Sequence, residues 1–289
     1  MLANFLKKTT LLNYVWISLL AVFYAFLILP DNGDQNLWIF CSYLCMVSLV
    51  VYLDEKLNLS KDSNLVVLFF LCFITLIPQW QFNLNLIPSL LAILLVFGNS
   101  IGDKSYRQAF FNMGFYLAVS TFFIPETVIF SFYILWVLIQ RGGSYLLHLF
   151  CTLLSALTFY FLVFTFYYWQ GEIEAFNTLF ILDTRLLSLG DFDFGMVLIL
   201  SLLALVILHG LSLKSQNEVG IRLSNLYLLM FLTLFLCFVC ADKAWGLLLF
   251  FALPWSIFLA NYLDWIRSEW LKDTVFFTFL LLPLITYYL

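Results

Sequence analysis

Charge is scarce in this chain, and histidine is scarcer. Asp, Glu, Lys and Arg make up 10% of its 289 residues, against about 25% in ordinary soluble domains. A surface so poor in charge excludes a soluble globular domain. Two histidines, His148 and His209, are too few for a histidine-rich iron or zinc centre, so no metal is expected. There is no glycine-rich phosphate loop and no Ser-His-Asp order, and no cofactor is expected. No basic stripe marks a nucleic-acid partner. The six cysteines (Cys41, Cys45, Cys72, Cys151, Cys237 and Cys240) all lie in apolar stretches, which excludes a disulfide framework of the secreted kind. Those stretches are continuous rather than alternating, which excludes a membrane β-barrel.

What is present is hydrocarbon. Hydrophobic residues make up 64% of the chain, and its mean hydropathy is +1.02. The apolar segments run roughly over 11–30, 36–53, 64–78, 85–98, 108–124, 128–140, 145–169, 195–213, 223–241, 245–263 and 274–289. The first is too long for a signal-peptide core and ends in Asp31-Asn-Gly-Asp34 without a small-residue cleavage site, so it reads as a retained helix. With the N-terminus in the cytoplasm, all thirteen Lys and Arg fall on the inner side except Arg185 and Lys243. That is the positive-inside distribution of a polytopic membrane protein. The expected fold is all-α, a polytopic transmembrane helical bundle of about eleven helices with its C-terminus outside. The count falls to about nine if the short segments 64–78, 85–98 and 128–140 do not all cross, since a full span takes about twenty residues. Residues 1–289 read as a single integral membrane domain of the bacterial inner membrane, with membrane lipids as its first partners.

No segment carries a charged residue near its middle, which argues against ion-coupled transport. Pro88, Pro254 and Pro283 are candidate helix breaks. The polar groups gather on the outer side. Asp31 and Asp34 follow the first helix, Glu126 sits in a short turn, and the gap from about Gln170 to Phe194 holds Glu172, Glu174, Asp183, Arg185, Asp191 and Asp193. Asp242 and Lys243 fill the last outer turn. Carboxylates beside isolated cations at a lipid boundary are the groups that would activate a hydroxyl and hold a lipid phosphate. On that reading Asp31 and Asp34 are the catalytic candidates, and Arg185 and Lys243 the lipid-phosphate ligands. The alternative for each acid is a helix cap or a wet loop, and for Arg185 a surface pair with Asp183. A second constellation, Cys237-Phe-Val-Cys240 with Cys41 and Cys45, has the depth of a thiol oxidase site, but buried apolar Cys is the ordinary alternative.

Three stretches carry a resemblance: Phe5-Leu-Lys-Lys-Thr-Thr-Leu-Leu-Asn-Tyr, Leu59-Ser-Lys-Asp-Ser-Asn with the apolar run to Pro78, and Phe82-Asn-Leu-Asn-Leu-Ile-Pro-Ser. They resemble a Bacteroidota family of inner-membrane proteins known as a domain of unknown function. The paired short segments around Pro78 and Asn83-Leu-Asn85, and the run Ser120-Thr-Phe-Phe-Ile-Pro125-Glu126, look similar to membrane glycosyltransferases of the GT-C superfold. That second resemblance implies a polyprenyl-phosphate sugar as substrate, Asp31 or Asp34 as base and Arg185 on the lipid phosphate. The chain departs from it in its very short first outer loop.

The leading expectation is a non-catalytic component of envelope glycan or lipid biogenesis, with polyprenyl phosphate and other inner-membrane proteins as further partners. A GT-C-like glycosyltransferase and a transporter of a neutral or lipid substrate are the alternatives.

Overall fold

Among the described residues every element is a helix. The computed structural model describes residues 15, 17–20, 22–23, 36–57, 63–75, 85–101, 106–141, 144–182, 217–240, 243–266 and 268–288. The helices are α1 (Asn36–Leu57), α2 (Ser63–Thr75), α3 (Leu86–Ile101), α4 (Tyr106–Phe123), α5 (Ser131–Arg141), α6 (Tyr145–Gln170), α7 (Ile173–Thr178), α8 (Asn217–Val239), α9 (Ala244–Leu247), α10 (Ala252–Trp265) and α11 (Glu269–Tyr288). Short 3-10 turns at Pro125–Phe130 and Leu248–Phe251 lead into α5 and α10. The apolar segments read from the sequence fall on these helices, with 128–140 beginning in the 3-10 turn before α5 and 245–263 divided among α9, a 3-10 turn and α10, except that 195–213 and most of 11–30 lie outside the described residues.

Of the three candidate helix breaks, two lie at helix starts, and the third, Pro283, lies inside α11, which continues through it to Tyr288. Pro88 and Pro254 fall in the first turns of α3 and α10, where a missing N–H breaks no intrahelical hydrogen bond.

The chain divides into two compact units, one of Met1–Asn83, Leu189–Ile221 and Leu248–Leu289, the other of Leu84–Ser188 and Arg222–Leu247. In the first unit α2 is apolar on all sides and buried from Asn64 to Ile74. It packs against α1, α10 and α11. Phe69 and Phe73 of α2 meet Trp255 of α10 at 6.4 and 5.1 Å between ring centroids, and Trp255 meets Phe279 of α11 at 5.1 Å. At about 20 Å, α2 is shorter than a hydrocarbon core of about 30 Å. A helix hydrophobic all round needs apolar neighbours on every side, and α2 has them in protein.

The second unit is organised on α4, which packs between α3 and α6. α4 and α6 run parallel: His148 stacks on Phe110 at 4.9 Å near their starts, and Thr121 Oγ1 meets the Tyr160 hydroxyl at 2.5 Å farther on. Gly114 lies in this seam, where a Cβ would overlap the carbonyl oxygen of Thr152 and the hydroxyl of Ser155.

α6 has the reverse of soluble-helix patterning. Its buried residues are His148, Thr152 and Ser155, while Leu146, Phe150, Leu157 and Phe161 are exposed. It is the one described helix long and apolar enough to cross a membrane, with 26 residues and 11% of its apolar window buried. α2, α3 and parts of α8 and α10 are shorter apolar helices.

Candidate functional site

The polar groups of the second unit collect at its two ends, and the first end is built by a proline. The residue before a proline is driven towards extended geometry, and Ile124 takes φ −138° and ψ 97°. That ends α4 at Phe123, and Pro125 then opens the 3-10 turn with the φ its ring favours. Ile124 N–H still donates to the Ser120 carbonyl at 2.9 Å, and Thr127 N–H donates to the Ile124 carbonyl at 3.0 Å. Glu126 falls in the first turn of this 3-10 segment, where the helix dipole favours a carboxylate.

Its partner comes from the far side of the sequence. Lys243 Nζ donates to Glu126 Oε1 at 2.7 Å, with the lysine side chain 45% exposed and the glutamate 2%. Lys243 is held by its own turn, its N–H donating to the Cys240 carbonyl at 3.1 Å. Glu126 Oε2 is buried and makes no hydrogen bond to a described residue. Beneath the pair runs a one-way chain of hydroxyls. Ser89 Oγ lies 2.6 Å from Ser120 Oγ, Ser120 Oγ donates to Thr127 Oγ1 at 3.0 Å, and Thr127 Oγ1 donates to the Ile124 carbonyl at 2.8 Å. Ser120 and Thr127 each accept one hydrogen bond and donate another, so the chain ties α3, α4 and the 3-10 turn together.

The opposite end holds a second polar layer. The Arg141 guanidinium donates to the Ser100 carbonyl and stands 5.4 Å over the Tyr106 ring. Ser100 Oγ lies 2.5 Å from the Tyr133 hydroxyl, Gln140 Nε2 donates to Ser224 Oγ at 3.0 Å, and Asn112 Nδ2 donates to Asn99 Oδ1 at 3.3 Å. His148 is packed between Phe110 and Tyr106. Its buried Nδ1 makes no hydrogen bond to a described residue.

Of the sequence-derived site residues, the structure describes Lys243. Asp31, Asp34 and Arg185 lie outside the described residues, as do Asp183, Asp191, Asp193 and His209. Lys243 is not the isolated cation it looked in sequence, because a carboxylate 117 positions away holds its ammonium. Nothing local announces that pair; the only hint in the sequence is that both residues sit in very short turns between apolar segments. Among the described residues no group of three His, Cys, Asp or Glu is placed to hold a metal ion.

Cys237 and Cys240 are buried, Cys41 and Cys45 are exposed, and none of the four is in a disulfide. A buried thiol in an apolar run behaves as a small hydrophobe. Replacing Cys237 and Cys240 together by Ala should leave cellular abundance nearly unchanged and cost no more than about 2 kcal/mol. Normal abundance with loss of the host phenotype would restore the thiol-oxidase reading.

A family model described as a family of unknown function (DUF6427) matches residues 1–289, and the chain belongs to that family. No curated protein and no solved structure matches it.

Proposed function

We propose that this chain is a multi-pass protein of the bacterial cytoplasmic membrane, with its N-terminus inside and its C-terminus outside, serving envelope glycan or lipid biogenesis as a non-catalytic component. The observation that carries the membrane part is the inverted patterning of α6, whose polar stripe is buried and whose apolar sides are open. In water that arrangement would expose large hydrophobic side chains along the whole helix. In lipid it lets small and hydroxyl side chains mediate helix contact while hydrocarbon faces hydrocarbon. At about 39 Å the helix exceeds a core of about 30 Å.

The layering of the second unit supports the topology. Glu126 and Lys243, both assigned to the outer side by the distribution of Lys and Arg, meet each other. Arg141 and Ser100, and Gln140 and Ser224, all assigned to the inner side, meet at the other end. The parallel course of α4 and α6 is what two inside-to-outside crossings require. The non-catalytic part is supported by the use of Lys243, whose ammonium is engaged by a protein carboxylate.

Two experiments test this. Single cysteines at Lys7, Lys61, Arg107, Arg141, Lys214 and Arg267 in a cysteine-free background should escape a membrane-impermeant maleimide, whereas cysteines at Asp34 and Asp191 should react. Reaction from outside at two or more of the six would defeat the topology. Replacing Asp31 and Asp34 together by Asn should leave the host's envelope phenotype intact. Loss of that phenotype at normal abundance would favour a glycosyltransferase.

A further inference from the structure

The 170–194 gap reads in sequence as an aqueous loop, yet its first part folds back along α6. α6 continues ten residues past Tyr160, to Gln170, whereas α4 stops two residues past Thr121, the partner of Tyr160. α6 therefore stands proud of its parallel neighbour by eight residues, about 12 Å. At its tip Gly171 takes φ +76° and caps the helix, its N–H donating to the Tyr168 carbonyl at 3.1 Å and that of Glu172 to the Tyr167 carbonyl at 2.9 Å. This left-handed turn reverses the chain. α7 then runs back down α6, with Phe176 against Phe164 at 5.3 Å and Phe180 against Tyr160 at 5.4 Å.

The resulting hairpin has a graded surface. Gln170, Glu172 and Glu174 are exposed around the tip. Below them Tyr168, Trp169, Ile181 and Leu182 are also exposed, Trp169 at 89%. Phe180 lies beside Tyr160, ten residues below Gln170, so the gradient runs from carboxylates, through Trp and Tyr, to aliphatic side chains over about 15 Å, which matches the passage from water through head groups to acyl chain. A protein-binding patch would have the opposite layout, an apolar centre ringed by polar residues.

We propose that the α6–α7 hairpin dips from water into the outer leaflet of the membrane, with the Gly171 turn in water, Trp169 in the head-group layer and Ile181 against acyl chain. The occupant of this surface is a lipid bilayer. The inference rests on the proposal that α6 spans the membrane, and it adds that residues 171–182 re-enter the outer leaflet beside it as an anchor.

The test uses the full chain, free of native cysteines, in vesicles of phosphatidylethanolamine and phosphatidylglycerol. An environment-sensitive fluorophore is attached at Trp169→Cys, Ile181→Cys or Leu157→Cys. Leu157 lies mid-helix and is 66% exposed. Doxyl lipids labelled near the head group or deep in the chain, and aqueous iodide, serve as quenchers. At position 169 the shallow doxyl lipid should quench about twofold more than the deep one, and at 181 and 157 the order should reverse. Gly171→Val, which forces a branched side chain into the left-handed turn, should at least halve lipid quenching at 181 and leave 157 unchanged. Lipid quenching at 157 with only iodide quenching at 169 and 181 would overturn the anchor alone and point to a protein partner. Deep quenching at 169, or shallow quenching at 181, would equally overturn it. Absence of lipid quenching at 157 would overturn the spanning of α6 and the anchor together.

Discussion

Lys243→Ala is expected to destabilise the second unit by about 3 kcal/mol, at the low end of what breaking a buried ion pair costs because the lysine end is open to solvent. The loss would come from the carboxylate left behind. Glu126 is almost wholly buried, and Lys243 is the charged partner of its Oε1. Removing the ammonium strands a buried charge, whereas Glu126→Gln leaves a half-exposed lysine that water can solvate. Glu126→Gln should therefore cost less than half as much. The double change Glu126→Gln with Lys243→Met, which keeps the apolar stem of the lysine in place, should recover most of the loss. Apparent melting temperatures in one detergent would read the ranking, with Lys243→Ala lowered on the order of 5–10 °C. If Glu126→Gln proves as damaging as Lys243→Ala, the carboxylate does more than hold its lysine.

Gly114→Ala should be the most harmful single methyl group that can be added to the α4–α6 seam. Helix propensity alone gives the opposite sign, since Ala is better than Gly inside a helix by about 1 kcal/mol. The seam should reverse this. A Cβ at position 114 would overlap a backbone carbonyl, that of Thr152, as well as the hydroxyl of Ser155. A rotamer change can move the serine but not the carbonyl, so the two helices would have to separate. That would also loosen Thr152 Oγ1 from the Phe110 carbonyl, a 3.3 Å hydrogen bond across the same contact. A net loss of about 2–3 kcal/mol is expected for Gly114→Ala, and failure to accumulate for Gly114→Leu. Adding Ser155→Ala should restore only part of the loss. A rise in melting temperature on Gly114→Ala would mean that the helices are not in contact there.

Much of this helical architecture was legible in the order of residues. Each helix closes its own backbone hydrogen bonds, so long apolar runs report helices one by one. The segments read at 85–98, 108–124 and 145–169 correspond to α3, α4 and α6 within a few residues. Proline before Glu126 likewise places the break between α4 and α5, because its steric effect acts on the next residue back. Packing is less local. The sequence shows α6 to be apolar, but hydropathy does not say which stripe of it is covered. His148, Thr152 and Ser155 face protein because α4 offers Gly114, and the backbone carbonyl of Phe110 that Thr152 reaches, at the matching height.

What the sequence determined by itself is the helical class, the approximate limits of most described helices and the sorting of Lys and Arg between alternate gaps, all consequences of local hydrophobicity and charge. Only the tertiary structure decided that Lys243 meets Glu126, that α4 and α6 run side by side in parallel, and that the chain after Gly171 returns along α6. These depend on which helices become neighbours and at what height. Shape and hydrogen-bond matching between residues far apart in the chain set both, and neither leaves a periodic trace in the order of residues.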